Sequence, residues 1–110
     1  MTELELVNKA KDGDKEALIQ LVMARQHEYY RLAYVYLKQK EDSLDALQDM
    51  IIILYKNIQS LKNDEAFFSW SKTILVNCCR QTLKKRNKMV YLSDIEEQDY
   101  NEDRNSFGDG

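Results

Sequence analysis

Residues 63–88 open Asn63-Asp64-Glu65-Ala66-Phe67-Phe68-Ser69-Trp70, continue through Ile74, Asn77 and Cys78, and close on Arg80, Lys84, Lys85, Arg86 and Lys88. On a helical wheel this run has two stripes. Phe67, Ser71, Ile74, Leu75 and Cys78 share one arc, and Ser69, Thr73, Asn77, Arg80 and Lys84 share another. The first is a core face. The second sets hydroxyls and an amide ahead of a cluster of cations, the equipment needed to hydrogen-bond base edges and neutralise phosphates. Two simpler roles compete: Trp70, at the border, can be a core anchor as well as a face for an unstacked base, and basic residues ending a helix complement its dipole. Five cations between Arg80 and Lys88 exceed what the dipole requires, which favours a phosphate-facing end.

The rest of the chain supports a helical reading. Among 110 residues there is no proline, and two of the three glycines fall in the last three positions, so little interrupts helices and little supplies the tight turns of a sheet protein. With 44% hydrophobic residues, one domain can bury a core of its own. An all-α bundle of four helices is expected over residues 1–90.

Leu4, Leu6, Val7 and Ala10 mark a short first helix that Gly13 can end, and Asp14 can cap the next. The second is predicted to run without a break from about Lys15 to Lys38, on the recurrence of Leu18, Leu21, Val22, Tyr29, Leu32, Ala33 and Tyr36. Glu41, Asp42 and Ser43 offer the start of a third, reaching about Ile58, and the fourth is expected to end near Asn87.

In the third helix Leu44, Leu47, Ile51, Leu54, Tyr55 and Ile58 fall on the predicted buried arc, opposite Asp42, Asp45 and Asp49. Ile52 and Ile53 flank that acidic row, where Lys, Glu or Gln would be ordinary. Either they face a neighbouring helix or they make an apolar and acidic surface for a partner.

Charge is divided along the chain. Residues 1–90 hold 15 Lys and Arg against 12 Asp and Glu, and residues 91–110 hold one against seven. The acidity of the whole chain, net −3, therefore sits in a segment expected to be a solvated, disordered linker or tail. No run of apolar residues approaches a membrane span, and Glu3 and Glu5 do not suit a signal peptide, so a cytoplasmic protein without membrane insertion is expected.

Catalytic chemistry finds little support. His27 is the sole histidine and is expected on a helix surface or in a satisfied, partly buried position. Cys78 and Cys79 are adjacent, unsuited to a disulfide or a metal; Cys78 is expected in the core and Cys79 partly exposed. No metal, cofactor or nucleophile motif is present in the sequence.

Three blocks together resemble region 2 of the extracytoplasmic-function (ECF) sigma factors of the bacterial sigma-70 family. They are Tyr30-Arg31-Leu32-Ala33; Glu41-Asp42 with Asp45, Gln48 and Asp49; and Ala66-Phe67 with Trp70, Ile74 and Asn77. The resemblance spans about Ala10 to Lys88. It implies a non-enzymatic factor that binds core RNA polymerase, through its β′ clamp coiled coil, and the non-template single strand of promoter DNA, with an anti-sigma factor as a further partner and no cofactor. Asp42, Asp45, Gln48, Asp49, Ile52 and Ile53 are the implied polymerase contacts. Lys62, Asn63 and Asp64 are the implied loop contacts to a flipped minus-ten base; Trp70, Thr73, Asn77, Arg80, Lys84, Lys85 and Arg86 are expected to continue the DNA surface. Gln81 stands where the family commonly has an acid, and Phe68, Ser71 and Lys72 replace frequent arginine, leucine and aromatic residues. The tail resembles the linker that leads to region 4 in the family, so a piece of a longer factor and a shortened protein are both expected forms. A helical module that binds a regulatory protein without touching DNA is the alternative.

Overall fold

The computed structural model describes residues 1–94, with side chains through Lys88. Among these residues every regular element is helical: α1 (Glu3–Lys11), α2 (Lys15–Met23), α3 (Gln26–Leu37), α4 (Lys40–Asn57) and α5 (Phe67–Asp94). Two single 3-10 turns, Ile58–Ser60 and Asp64–Ala66, connect α4 to α5. Helices α3, α4 and α5 pack on one another, and the α1–α2 hairpin closes against α4 and the connecting turns. The all-α class stands; the helix expected over residues 15–38 is two helices.

The first turn follows local chemistry closely. Thr2 and Glu5 form a reciprocal capping box at the start of α1. At its end Gly13 takes φ +101°, its N–H bonds Ala10 O at 2.9 Å, and the Asp14 N–H bonds Lys9 O at 3.0 Å. These are the two bonds of a glycine-terminated helix end, and they satisfy carbonyls the helix leaves over. Asp14 then accepts from Ala17 N at 3.2 Å and starts α2 as expected. Leu4, expected among the apolar positions of α1, is exposed to 42%.

The break between α2 and α3 falls at Arg25, with neither glycine nor proline to announce it. Leu18, Leu21, Val22, Tyr29, Ala33 and Leu37 are all buried, so the apolar spacing carries on in phase across the interruption. What distinguishes Arg25 is long-range contact: its guanidinium lies 4.0 Å from the centroid of the Phe68 ring and 3.3 Å from the Glu3 carboxylate. Such contacts leave no periodic trace.

Helix α4 is turned relative to the expected arc. Ser43, Ala46, Met50 and Leu54 are buried, whereas Leu44 and Tyr55 keep 41% and 42% exposure. The reason is visible at Ser43: its hydroxyl donates to Gln39 O at 2.6 Å, which removes most of the cost of burying it. A wheel drawn by apolarity rejects a serine and passes over the small Ala46. The helix also starts earlier than Glu41–Ser43 suggested, at Lys40, after Lys38 takes the left-handed conformation at φ 60°. Glu41 and Asp42 do occupy its first turn, where the dipole favours acids.

In α5 the expected core arc is realised by Phe67, Ser71, Leu75 and Cys78, with Ile74 half-buried. Cys79, expected to be partly exposed, is instead fully buried. Burial pushes its thiol up to about 11 and raises Cys78 as well, so neither thiol is a nucleophile near neutral pH. The helix passes Asn87 and continues to Asp94. The disorder expected for the acidic segment falls, from residue 95 onward, outside the described residues.

One buried polar pair locks α3 to α5. Ser71 donates its hydroxyl proton to Phe68 O at 2.8 Å, so Tyr29 is the donor in the 2.7 Å contact between the two hydroxyls. Burial raises the Tyr29 pKa, the loss of solvation outweighing the lowering effect of Ser71. Ser71→Ala strands the Tyr29 hydroxyl and is expected to lower stability by about 1–3 kcal/mol in a thermal or urea titration. Adding Tyr29→Phe should recover much of that loss, because both members of the pair are then apolar.

Candidate functional site

Two surfaces stand on adjoining helices. On α4, Asp45, Gln48, Asp49, Ile52 and Ile53 are exposed, with Ile52 at 52%. The rotation of the helix adds Leu44 and Tyr55, both expected in the core, to this outward face. The combination is an apolar strip beside carboxylates, suited to a partner with apolar and basic side chains. Lys15 of α2 lies 5.4 Å from the centroid of the Tyr55 ring and bounds one side of the strip.

Asp42 is placed differently from the other acids. Its Oδ2 accepts from Arg86 Nη2 at 2.6 Å, and the same nitrogen donates to Leu37 O at 2.9 Å. Both side chains are about one-third exposed. Arg86 thereby satisfies a carbonyl at the C-terminus of α3 and ties the first turn of α4 to α5. One residue expected at the polymerase surface and one expected at the DNA surface are thus committed to each other.

The second surface is on α5. Ser69, Thr73, Asn77, Arg80 and Lys84 are exposed, as the wheel requires, and so is Lys85. Ser69 and Thr73 donate to the carbonyls of Ala66 and Ser69, each at 3.2 Å. With their protons so committed, their oxygens are left as acceptors, suited to donors on a base edge.

These residues border an open groove of about 400 Å³, lined by Leu32 of α3 with Ser69, Lys72, Thr73, Val76, Asn77 and Arg80. Its lining mixes apolar Leu32 and Val76 with hydroxyl, amide and cationic side chains. Leu32 joins the surface only through tertiary structure, whereas Lys72 and Val76 lie on α5 beside the predicted row. Leu32 is predicted as core from its spacing, and half of it is.

Trp70 is half-buried and packs against the core, its ring 6.0 Å from Phe67 and tilted by 54°. It closes the core and still shows part of its ring. Phe68 is covered on one side by Arg25 and also meets Lys72, whose ammonium lies 4.4 Å from the ring centroid.

The connection between α4 and α5 holds Lys62, Asn63 and Asp64. Lys62 and Asn63 are exposed, and Asn63 accepts from Glu65 N at 3.0 Å, which commits its carbonyl oxygen and not its amide nitrogen. Asp64 meets Lys11 of α1 at 2.6 Å. His27 lies on the surface, and among the described residues no group of His, Cys, Asp and Glu is arranged to hold a metal ion. No described helix is long and apolar enough to cross a membrane.

Comparison with known proteins places this arrangement. The sequence pattern of Sigma-70 region 2 matches residues 21–89. The chain is similar to RNA polymerase sigma factor SigV of Bacillus subtilis, 30% identical over 78% of this chain and 52% of that protein. It is also similar to ECF RNA polymerase sigma factor SigM of Mycobacterium tuberculosis, 32% identical over 76% of this chain and 43% of the relative. The chain therefore spans about half the length of the curated relatives it matches. Among solved structures, an engineered region 2 of sigmaE, determined by NMR in complex with GTAAAA, superposes with a TM-score of 0.74 at 27% identity, covering 81% of this chain and 93% of that one. A pattern match across more than half of the residues, the all-helical fold and the superposition agree, and the chain belongs to the Sigma-70 region 2 family, in its ECF branch.

Proposed function

We propose that this domain serves transcription initiation by docking on the β′ clamp coiled coil of core RNA polymerase through α4 and holding the opened minus-ten element of a promoter through α5 and the loop before it. The observation that carries the reading is the division of labour between adjoining helices. Helix α4 exposes Asp45, Gln48, Asp49, Ile52 and Ile53, while α5 exposes Thr73, Asn77, Arg80, Lys84 and Lys85. Acids beside apolar side chains suit a basic protein partner, and cations beyond a polar groove suit a single strand. The similar sigmaE region 2, solved in complex with GTAAAA, supports a nucleic-acid role for this fold.

In this mechanism the domain performs no covalent chemistry. Extruding a base costs a few kcal/mol of unstacking, and contacts in the loop and groove together with phosphate neutralisation must offset that cost. Asn77 is the side chain best suited to base readout, since its amide offers both a donor and an acceptor in the lining of the groove. Lys62 and Asn63 extend the contacts into the loop, and Trp70 supplies a partial stacking face. Asp42 and Arg86 act indirectly, by fixing α4 against α5. An anti-sigma factor is a further partner of this reading; it would compete for the same exposed strip of α4.

The direct test is capture of core polymerase by the tagged chain, followed by initiation from a defined promoter; failure to retrieve polymerase would leave only a protein-interaction module. For base readout, Asn77→Ala is expected to weaken binding to a minus-ten single strand in the polymerase complex by roughly tenfold, and Trp70→Ala by less. Equal losses on a scrambled strand would show that neither residue reads sequence.

A further inference from the structure

Over residues 58–66 the loop between α4 and α5 has its local bonds within its two turns, from Leu61 N to Ile58 O, from Ala66 N to Asn63 O and from Glu65 N to Asn63 Oδ1, with Ser60 Oγ donating back to Asn57 O. Ile58 and Leu61 anchor it in the core, and Gln59, Ser60, Lys62, Asn63 and Glu65 are exposed. What ties the two turns to the rest of the fold through polar contacts comes from α1. Gln59 Nε2 donates to Lys11 O at 2.8 Å, and Lys11 Nζ meets Asp64 Oδ1 at 2.6 Å. A single residue at the end of α1 therefore grips both 3-10 turns, one through its carbonyl and one through its ammonium. The Lys11 and Asp64 side chains are only 25% and 26% exposed. Lys11 also lies ahead of residues 21–89, the span matched by the region 2 pattern.

We propose that Lys11 is a specificity-positioning residue, which sets the shape of the base-holding loop. The proposal rests on the reading of that loop as the minus-ten contact. Asp64 is then a structural partner of Lys11 and not a base contact, and Lys62 and Asn63 carry the readout. Without the pair, the turn at Asp64–Ala66 would lose its side-chain tether to α1.

The experiment is selection of random single-stranded DNA decamers by the immobilised 110-residue chain, followed by titration of the enriched and a scrambled decamer at several salt concentrations. The wild-type chain is expected to enrich a motif. Lys11→Ala and Asp64→Asn should each lower the ratio of enriched to scrambled affinity by roughly fivefold, and the double variant should lose no more than either alone. Lys11→Arg, which keeps the ion pair, should retain at least about half of the preference. The salt slope should stay at the wild-type value in all of them, because no phosphate contact is removed. An unchanged ratio in Lys11→Ala, losses that multiply in the double variant, or a slope reduced by about 0.7 would each overturn the proposal. Absence of any preference in the wild-type chain would instead bring down the base-holding loop itself, and the role of Lys11 with it.

Discussion

Replacing both Asp45 and Asp49 with arginine is expected to abolish binding to a β′ clamp coiled-coil fragment, a loss of at least about 100-fold, because like-charge juxtaposition across an interface costs several kcal/mol. Both side chains are exposed on α4, so the thermal midpoint should move little. Titration of a labelled clamp fragment reads the first quantity and a melting curve the second. Affinity equal to that of the wild-type chain would remove the docking surface. Asp42→Arg should behave differently despite lying on the same acidic row. It breaks the 2.6 Å pair with Arg86, so stability and docking fall together. Ile52→Ala, which trims an apolar side chain of 52% exposure, should weaken docking without altering its salt dependence.

The basic end of α5 is expected to separate into two kinds of cation. A variant with Arg80, Lys84 and Lys85 all changed to alanine should lose about 2 from the salt slope of single-strand binding, near 0.7 for each phosphate contact removed. At low salt this corresponds to an affinity loss of roughly 10- to 100-fold, with the fold intact since all three are exposed. Arg86→Ala should keep the slope. It should instead destabilise the domain by about 1–2 kcal/mol, through loss of a charge-assisted contact to Asp42 and of the donor to Leu37 O. For a domain of this size that is roughly 4–8 °C in the thermal midpoint per kcal/mol. A slope that falls as much for Arg86→Ala as for Arg80→Ala would place Arg86 on the strand after all.

How legible the surfaces were depended on the range of the interactions that form them. The exposed row of α5 could be read directly, since Thr73, Asn77, Arg80 and Lys84 recur at helical spacing and none is buried among the described residues. The acidic row of α4 was equally legible at Asp45 and Asp49. Leu44 and Tyr55 were not, because a wheel ranks positions by apolarity and takes them for core before Ser43 and Ala46. The groove escaped for a related reason: Leu32 belongs to α3, and its neighbours at the groove lie some forty residues further along the chain.

By itself the sequence determined the helical class, the end of α1 at Gly13, the cap at Asp14, the two arcs of α5 and the resemblance that the family match supports. Each of these rests on backbone conformation or side-chain spacing within a few residues, where composition and periodicity carry the physics. Tertiary structure alone decided the break at Arg25, the rotation of α4, the burial of Cys79 and the partners of Asp42 and Asp64. Those partners, Arg86 and Lys11, lie 44 and 53 residues away, and charge and hydrogen-bonding capacity identify what could pair without stating what does. That choice was made when the helices packed, because only packing brings a particular cation within reach of a particular carboxylate.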